Sequence, residues 1–203
     1  MKKYLESCRT DFWQEVFKRE TEYLLTELKG CKDVLSVGCG PAIIERELQK
    51  KGFNVVGLDV SKEALGEVPD SIRTVIGSAE EMKIDDASFD AVIYVASLQF
   101  IDNYKRAVQE TKRVLKPDGK LVVMLLNPES EFFGMKKKSK DSYINKIKHP
   151  YLAPIEKIFR KHFSEFKSEY YLGIKSEKIV ESQNSNLAVL YIMRGTKHER
   201  NKV

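Results

Sequence analysis

The chain has 203 residues, of which 42% are hydrophobic and 32% charged, and its formal net charge is +5. This length fits one domain with a sizeable core, and this composition excludes a disordered or fibrous protein. No apolar run approaches the roughly 20 residues of a membrane-spanning helix, and residues 1–6 lack the apolar core of a secretion signal. We therefore expect a globular cytoplasmic protein without a membrane span.

Cysteine and histidine usage bears on disulfides and metals. Cys8, Cys31 and Cys39 form no C-x-x-C pair, and their odd number argues against a disulfide framework. The three histidines lie far from the cysteines, so no metal site is predicted. Lysines crowd residues 136–148. Such a run is typical of a solvated loop, but it would also suit a patch that attracts an anionic substrate, a lipid headgroup or RNA.

The first predicted element is an amphipathic helix, because apolar residues recur at helical spacing between Asp11 and Leu28 and Gly30 follows them. From Asp33 onward, short apolar strands alternate with helices. Strands are predicted at 33–37, 54–59, 72–76, 89–95 and 120–126, and a turn at 116–119. Three helices are predicted between them: one begins at Pro41, one is capped by Ser61, and one begins at Asp102. This alternation indicates βαβ crossovers and a parallel sheet.

After Leu126 the alternation stops. Residues 127–151 are long, basic and irregular, which is typical of a lid or binding loop. A helix from Pro154 and two strands near 166–172 and 187–193 follow. The insertion also carries several large apolar residues, which we expect to point inward while its lysines point outward. These are Phe132, Phe133, Met135, Tyr143 and Ile144.

The predicted fold class is α/β, with a doubly wound, Rossmann-like, mostly parallel seven-stranded sheet and helices on both faces. Residues 1–203 are expected to form a single domain of four segments. They are a helical lid at 1–30, a cofactor-binding core at 31–127, an insertion or second lid at 128–153, and a C-terminal helix with the last two strands at 154–203.

The turn after the first predicted strand carries Gly38 and Gly40. Glycines allow a tight turn and close approach to a ligand, and the next helix offers unpaired N–H groups. Asp59 ends the second strand, 19 residues after Gly40, where an acidic side chain reaches ribose hydroxyls. Its alternative role, capping the next helix, is one that Ser61 fills. The pattern predicts a nucleoside-bearing cofactor, and Ile43 in place of a third glycine argues against NAD or FAD.

Three segments resemble motifs of the class I S-adenosylmethionine-dependent methyltransferases. Residues 34–42 (VLSVGCGPA) resemble the first motif, 77–82 (GSAEEM) with 88–93 (SFDAVI) resemble the passage from strand three into strand four, and 114–122 (VLKPDGKLV) resemble the turn into strand five. The resemblance covers residues 31–127, with the motifs in the family's order. It implies S-adenosylmethionine as the cofactor and methyl transfer as the activity.

The resemblance also implies which residues line the cofactor site. They are Gly38, Cys39 and Gly40 along the methionine and ribose portion, Asp59 at the ribose hydroxyls, Val60 against the adenine, Ser78, Ala79 and Glu80 flanking the adenine, and Val95 to Ser97 closing the pocket below strand four. Two positions depart from the family's pattern: Ala42 stands where glycine is usual, and Ser78 where an acid is common. The adenine amino group is therefore expected to meet the Ser78 hydroxyl, Glu80 or a backbone carbonyl.

No catalytic residue is predicted, because transfer from a sulfonium needs alignment and exclusion of water, and a base only for some acceptors. Gln99 stands where many small-molecule relatives have a histidine; it either orients the acceptor or is an exposed loop amide. Trp13 and Tyr4 could cap the pocket, whereas Phe17 is expected to pack in the core. His149 is the histidine expected to face the substrate.

The expected acceptor is a small or medium-sized molecule. The lysine run leaves open an RNA or protein acceptor, although no nucleic-acid-binding module and no Asn-Pro-Pro-Tyr motif is visible. Ala42, Ser78 and Gln99 leave open a non-catalytic cofactor-binding protein of the same fold. No pattern in the sequence identifies the acceptor atom or the oligomeric state.

Overall fold

An eight-stranded sheet runs through the molecule in the order β3–β2–β1–β4–β5–β8–β6–β7. The computed structural model describes residue 8, residues 10–176 and residues 178–197. The strands are β1 Asp33–Val37, β2 Asn54–Asp59, β3 Arg73–Ile76, β4 Phe89–Val95, β5 Leu115–Leu126, β6 Phe163–Lys175, β7 Lys178–Val180 and β8 Ala188–Lys197.

Helices cover both faces of this sheet. They are α1 Asp11–Glu27, α2 Ile43–Lys50, α3 Lys62–Leu65, α4 Tyr104–Val114, α5 Glu131–Lys137 and α6 Leu152–His162, with 3₁₀ turns at Leu98–Phe100 and Tyr143–Lys146. In β4 and β5, alternate residues join two separate apolar clusters, one with α4 and α6 and the other with α1, α2 and α5. The predicted doubly wound α/β class is confirmed. Among the described residues, no helix is long and apolar enough to cross a bilayer.

The sheet has a topological switch point beside β1. Strands β3, β2, β1, β4 and β5 are parallel, and β1 lies between β2 and β4. Because the chain leaves β1 toward one side and later returns to the other, a crevice opens at the carboxyl ends of β1 and β4, where open α/β folds bind ligands. The remaining strands are antiparallel and extend the sheet beyond β5.

The sheet has one strand more than predicted. The additional strand β7 has three residues and pairs antiparallel with the end of β6, Lys175 opposite Lys178. So short a segment carries no apolar alternation of its own. The predicted turn at 116–119 is a bulge within β5, since pairing with β4 passes from Phe89–Leu115 directly to Ala91–Lys120.

Two predicted helix starts are wrong. Helix α2 begins at Ile43 rather than Pro41, because Ala42 is its N-cap in a left-handed conformation with φ of 55°. Helix α4 begins at Tyr104 because its cap is Asn103, not Asp102.

The caps of α3, α4 and α5 follow one pattern, in which a side-chain oxygen accepts an N–H from the first turn. Ser61 caps α3 as predicted and accepts from Ala64, 3.1 Å away. Asn103 caps α4. Ser130 caps α5, so the insertion that was expected to be irregular contains a helix.

Candidate active site

Two cavities meet at the carboxyl ends of the parallel strands, where Gly38, Asp59 and Ala96 line both. The first, of about 370 Å³, lies against α1, α2 and the insertion, and we call it the α1 cavity. The second, of about 380 Å³, lies at the ends of β2 and β3, and we call it the β3 cavity. The residues predicted for the cofactor site all line one or both. The α1 cavity has Gly38, Cys39, Gly40, Asp59, Val95 and Ala96, and the β3 cavity has Gly38, Asp59, Val60, Ser78, Ala79, Glu80, Ala96 and Ser97.

Gly38 joins the ends of three strands. Its φ is +74°, and its N–H donates to the Leu58 carbonyl at 2.7 Å. A Cβ at this position would lie 2.5 Å from the Cβ of Ser97, whose hydroxyl donates to the Val37 carbonyl at 2.6 Å. Only glycine therefore allows the end of β4 to pack against the end of β1.

Gly40 is set in its conformation by Asp59. The Gly40 N–H donates to Asp59 Oδ2 at 2.8 Å, and its φ is +53°. Asp59 Oδ1 accepts the N–H of Ser61 at 2.8 Å, so the carboxylate holds the glycine turn and the start of α3 together. A carboxylate has about four acceptor positions, which leaves two for ligand hydroxyls. A Cβ at Gly40 would meet no protein atom within 4 Å.

Cys39 fills a narrow space inside the same turn. A Cβ on Gly57 would lie 2.6 Å from the Cys39 sulfur, so β2 needs glycine where the thiol packs. Burial, followed by the charges of Glu45 and Asp59, raises the pKa of the Cys39 thiol far above neutral. Because a nucleophilic cysteine needs an accessible thiolate, Cys39 acts here as a small packing residue.

The β3 cavity combines an exposed apolar side chain with polar side chains that form hydrogen bonds within the protein. Val60 lines this cavity with its side chain 72% exposed, so an apolar surface is open to a ligand there. The Ser78 hydroxyl accepts the N–H of Glu80 at 3.1 Å. Glu80 Oε1 accepts the N–H of Asn103 at 2.9 Å, so the loop after β3 is tied to the start of α4.

The structure corrects the expectations for Gln99 and His149. Gln99 is fully buried, so the exposed alternative is wrong, and its amide bonds to backbone groups of Leu126 and His149 instead of facing a cavity. The His149 ring packs edge-on against Tyr104, and its Nε2 lies 3.0 Å from the Asp102 carbonyl oxygen. In the described part of the chain, neither residue lines either cavity.

The α1 cavity is walled by aromatic residues from outside the parallel core. Trp13 and Phe17 contribute from α1, and Phe132 and Tyr143 from the insertion. The rings of Trp13 and Phe132 lie 6.2 Å apart in an edge-to-face arrangement, so α1 and α5 meet beside the cavity. Phe17 was expected only to pack, yet it lines the cavity as well. Tyr4 lies outside the described residues.

The insertion departs from its predicted pattern at one position. Phe132, Phe133 and Ile144 are buried as expected. Met135, by contrast, is 50% exposed, because it lies on the solvent side of the short helix α5.

Two buried acids that sequence reasoning missed, Glu20 on α1 and Glu45 on α2, also line the α1 cavity. They are only 5% and 3% exposed. Burial and the nearby charge of Glu45 raise the pKa of Glu20 to about 8, and burial raises the pKa of Glu45 to about 7 despite a hydrogen bond from the Ser36 hydroxyl. The signal was present: Glu20 follows Val16 by four residues and precedes Leu24 by four, so it lies on the apolar stripe.

Comparison with known proteins agrees with this geometry. Residues 35–123 match the family described as a methyltransferase domain. The chain is 33% identical over 109 residues to a demethylmenaquinone methyltransferase of Corynebacterium glutamicum, an alignment that covers 53% of this chain and 47% of that one. It spans about half the length of the curated relatives it matches.

Two solved structures share the fold. An S-adenosylmethionine-dependent methyltransferase from Archaeoglobus fulgidus has a TM-score of 0.77 at 18% identity and covers 96% of this chain and 98% of its own. One from Thermotoga maritima, described as a possible histamine N-methyltransferase, has a TM-score of 0.75 at 22% identity and covers 90% and 89%. Residues 35–123 thus match a methyltransferase domain, and the chain shares the fold of solved S-adenosylmethionine-dependent methyltransferases. The resemblance found in the sequence is confirmed.

Proposed function

We propose that this chain transfers a methyl group from S-adenosylmethionine to a small organic acceptor. The observation that carries the proposal is the junction of two cavities at Gly38 and Asp59. One cavity has polar groups suited to a nucleoside, and the other is mainly aromatic and aliphatic. A donor held across the junction therefore faces an acceptor in the α1 cavity.

The residues of the turn and of the β3 cavity fit the cofactor. Asp59 keeps two acceptor positions free for ribose hydroxyls. Val60 offers an exposed apolar surface to the adenine ring, and the loop with Ser78 lies beside it. The open space at Gly40 allows the backbone to approach the ligand closely.

When bound, the cofactor supplies an electrophilic methyl group on a sulfonium, so the protein has mainly to align the acceptor and exclude water. The two segments outside the core suit this task. Trp13 of α1 and Phe132 of α5 bring apolar rings together at the α1 cavity. We therefore assign both segments as the lid over the acceptor.

The lining of the α1 cavity favours a small acceptor over RNA or protein. Phe132, which lines it, is buried, whereas Lys137 and Lys138 are exposed on the far end of α5. Lys136 lies over the Phe132 ring at 5.2 Å from its centroid, outside the cavity lining. Lys136, Lys137 and Lys138 thus lie outside the cavity lining, and a macromolecular acceptor is not needed to explain them. Of the other lysines in the run, Lys146 lines the α1 cavity and Lys148 lines the β3 cavity.

A radiolabel experiment tests the proposal. The purified protein is incubated with methyl-labelled S-adenosylmethionine and, separately, with a small-molecule extract, bulk RNA and bulk protein. Label should enter the small-molecule fraction, Asp59→Ala should strongly reduce the incorporation, and the exposed neighbour variant Glu63→Gln should retain it. Label in RNA or protein alone would contradict a small acceptor, and no label in any fraction would contradict methyl transfer.

A further inference from the structure

The α1 cavity is acidic in a protein that is basic as a whole. The net charge of the chain is +5, yet among the residues that the structure describes this cavity is lined by three acids, Glu20, Glu45 and Asp59, and by one basic residue, Lys146. Asp59 belongs to the cofactor turn and Lys146 is exposed to solvent. Glu20 and Glu45 are therefore the two carboxyls whose presence the cofactor site does not explain.

Glu20 is the less expected of the two. In the part of the chain that the structure describes, no group donates a hydrogen bond to its carboxyl and no cation lies within salt-bridge distance. Glu45, by contrast, accepts the Ser36 hydroxyl. A buried carboxyl without a partner costs free energy on folding. Glu20 is only 5% exposed and lines a ligand cavity. A bound ligand that pairs with its carboxyl explains why it is buried there.

The surroundings of Glu20 indicate what that ligand carries. Trp13, Val16 and Phe17 on the same helix line the cavity, as does Tyr143 of the insertion. Aromatic faces and carboxylates together attract an organic cation, through the ring quadrupole and through charge-assisted hydrogen bonds. Since α1 and the insertion lie outside the cofactor-binding core, this end of the cavity belongs to the acceptor.

We propose that the methyl acceptor is an amine with an apolar body, held at its nitrogen by Glu20 and Glu45. This inference rests on the proposed function. It assigns Glu20 as the residue that takes a proton from the nitrogen, and Glu45, fixed by Ser36, as a positioning residue that keeps the positive charge at this end of the cavity.

The proton, the new bond and the broken bond are all accounted for in this transfer. The acceptor enters as an ammonium ion and passes one N–H proton to the Glu20 carboxylate, which frees the nitrogen lone pair. That lone pair forms the N–C bond as the carbon–sulfur bond breaks, with both electrons of the broken bond going to sulfur. The product leaves as a methylammonium ion, and Glu20 returns its proton to water. Burial and the charge of Glu45 raise the pKa of Glu20 to about 8. A bound ammonium ion favours the ionised carboxylate, which can then accept the proton and later release it to water.

Ligand binding with matched probes tests the inference. Three probes share a phenyl ring and a two-carbon chain but end in an amine, a hydroxyl or a carboxylate: 2-phenylethylamine, 2-phenylethanol and 3-phenylpropionate. Calorimetry is run in saturating S-adenosylhomocysteine on the wild type, on Glu20→Gln and on Glu22→Gln, an exposed neighbour on the same helix. The wild type should bind the amine at least about tenfold more tightly than the other two. Glu20→Gln should lose that preference, and Glu22→Gln should keep it.

Binding of S-adenosylhomocysteine itself separates the two proposals. It should be within about threefold of wild type in Glu20→Gln, because Glu20 serves the acceptor. A loss as large as that for the amine would assign the carboxyl to the cofactor and overturn the inference. Equal binding of the three probes, no binding of the amine, or an amine preference that survives in Glu20→Gln would also overturn it. Failure of the wild type to bind S-adenosylhomocysteine would instead refute the proposed function.

Discussion

Gln99 and Leu126 are joined by two hydrogen bonds, with Gln99 Oε1 accepting the Leu126 N–H at 2.7 Å and Gln99 Nε2 donating to the Leu126 carbonyl at 3.1 Å. The Gln99 carbonyl in turn accepts the N–H groups of Lys148 and His149. One buried side chain thus connects the turn after β4, the end of β5 and the end of the insertion. It positions the end of the insertion without lining either cavity in the part of the chain that the structure describes.

Replacement of Gln99 by leucine should therefore destabilise the protein. The change leaves the buried Leu126 N–H and carbonyl without partners, at about 1–3 kcal/mol for each unsatisfied group. We expect the free energy of unfolding to fall by about 2–4 kcal/mol in urea titrations, whereas Gln109→Leu on the exposed face of α4 should change it little. A loss below about 0.5 kcal/mol for Gln99→Leu would show that Gln99 does not hold these segments together.

Alanine substitution should have different effects at Gly38 and at Gly40. Alanine at 38 would place its Cβ 2.5 Å from that of Ser97, which adds overpacking of about 1–3 kcal/mol to the left-handed backbone cost of about 1–2 kcal/mol. Alanine at 40 bears only the backbone cost, since its methyl group points into open space. Gly38→Ala should thus lower the melting temperature more. Gly40→Ala should lose affinity for S-adenosylhomocysteine while it stays folded, and unchanged affinity would contradict a cofactor approach at Gly40.

Substitution of Asp59 should lower both the affinity for the cofactor and the stability of the protein. Its carboxylate is proposed to bind the ribose, and it accepts two backbone N–H groups. Asp59→Ala is expected to weaken S-adenosylhomocysteine binding by about 1.5–3 kcal/mol, the range for a hydrogen bond to a charged group. Each N–H that it leaves without a partner should lower stability by about 1 kcal/mol. Calorimetry and urea titration measure the two effects separately. Reduced stability with unchanged affinity would show that the carboxylate only holds the turn.

The raised pKa of the buried Glu20 carboxyl should give the protein an unusual dependence of stability on pH. Its pKa is raised from 4.5 to about 8 in the folded protein, by burial first and then by Glu45, and Tyr143, Cys8 and Lys146 also lie at this cavity. Between these two pH values the folded state binds a proton that the unfolded chain has lost. The contribution of Glu20 to stability is therefore neutral below pH 4.5 and increasingly unfavourable as the pH rises toward 8.

Glu20→Gln removes this penalty, and one pKa unit corresponds to about 1.4 kcal/mol. The melting temperature of the variant should exceed that of the wild type at pH 8.5 and approach it at pH 5, whereas Glu22→Gln should follow the wild type throughout. Equal melting temperatures for Glu20→Gln and wild type at pH 8.5 would show that the Glu20 carboxyl is not buried in an apolar setting.

The spacing of apolar residues and the positions of glycines were sufficient to predict the parallel core of the sheet. Strands β1, β2 and β4 have the predicted bounds because the core of a doubly wound sheet demands short apolar runs between breakers. The turn at Gly38 and the cap at Ser61 follow local rules and were also predictable. The start of α2 was not, because it depends on Ala42 adopting a conformation that alanine rarely takes.

The acidic end of the α1 cavity was predictable only in part, because helical spacing places Glu20 on the apolar stripe of α1 but does not establish its burial. A glutamate is ordinarily assigned to the solvated face of a helix. Its burial results from the packing of α1 against α2 and the insertion, which are distant in sequence. Gln99 was misjudged for the same reason, since its partners are backbone groups of β5 and of the insertion.

Calorimetric titration of the purified protein with S-adenosylhomocysteine and, separately, with NAD measures whether the Gly38–Gly40 turn and Asp59 hold S-adenosylmethionine. We expect saturable binding of S-adenosylhomocysteine at one site per chain and no heat of binding with NAD, because Ile43 stands where a dinucleotide turn needs glycine. Tight NAD binding together with no response to S-adenosylhomocysteine would contradict the account.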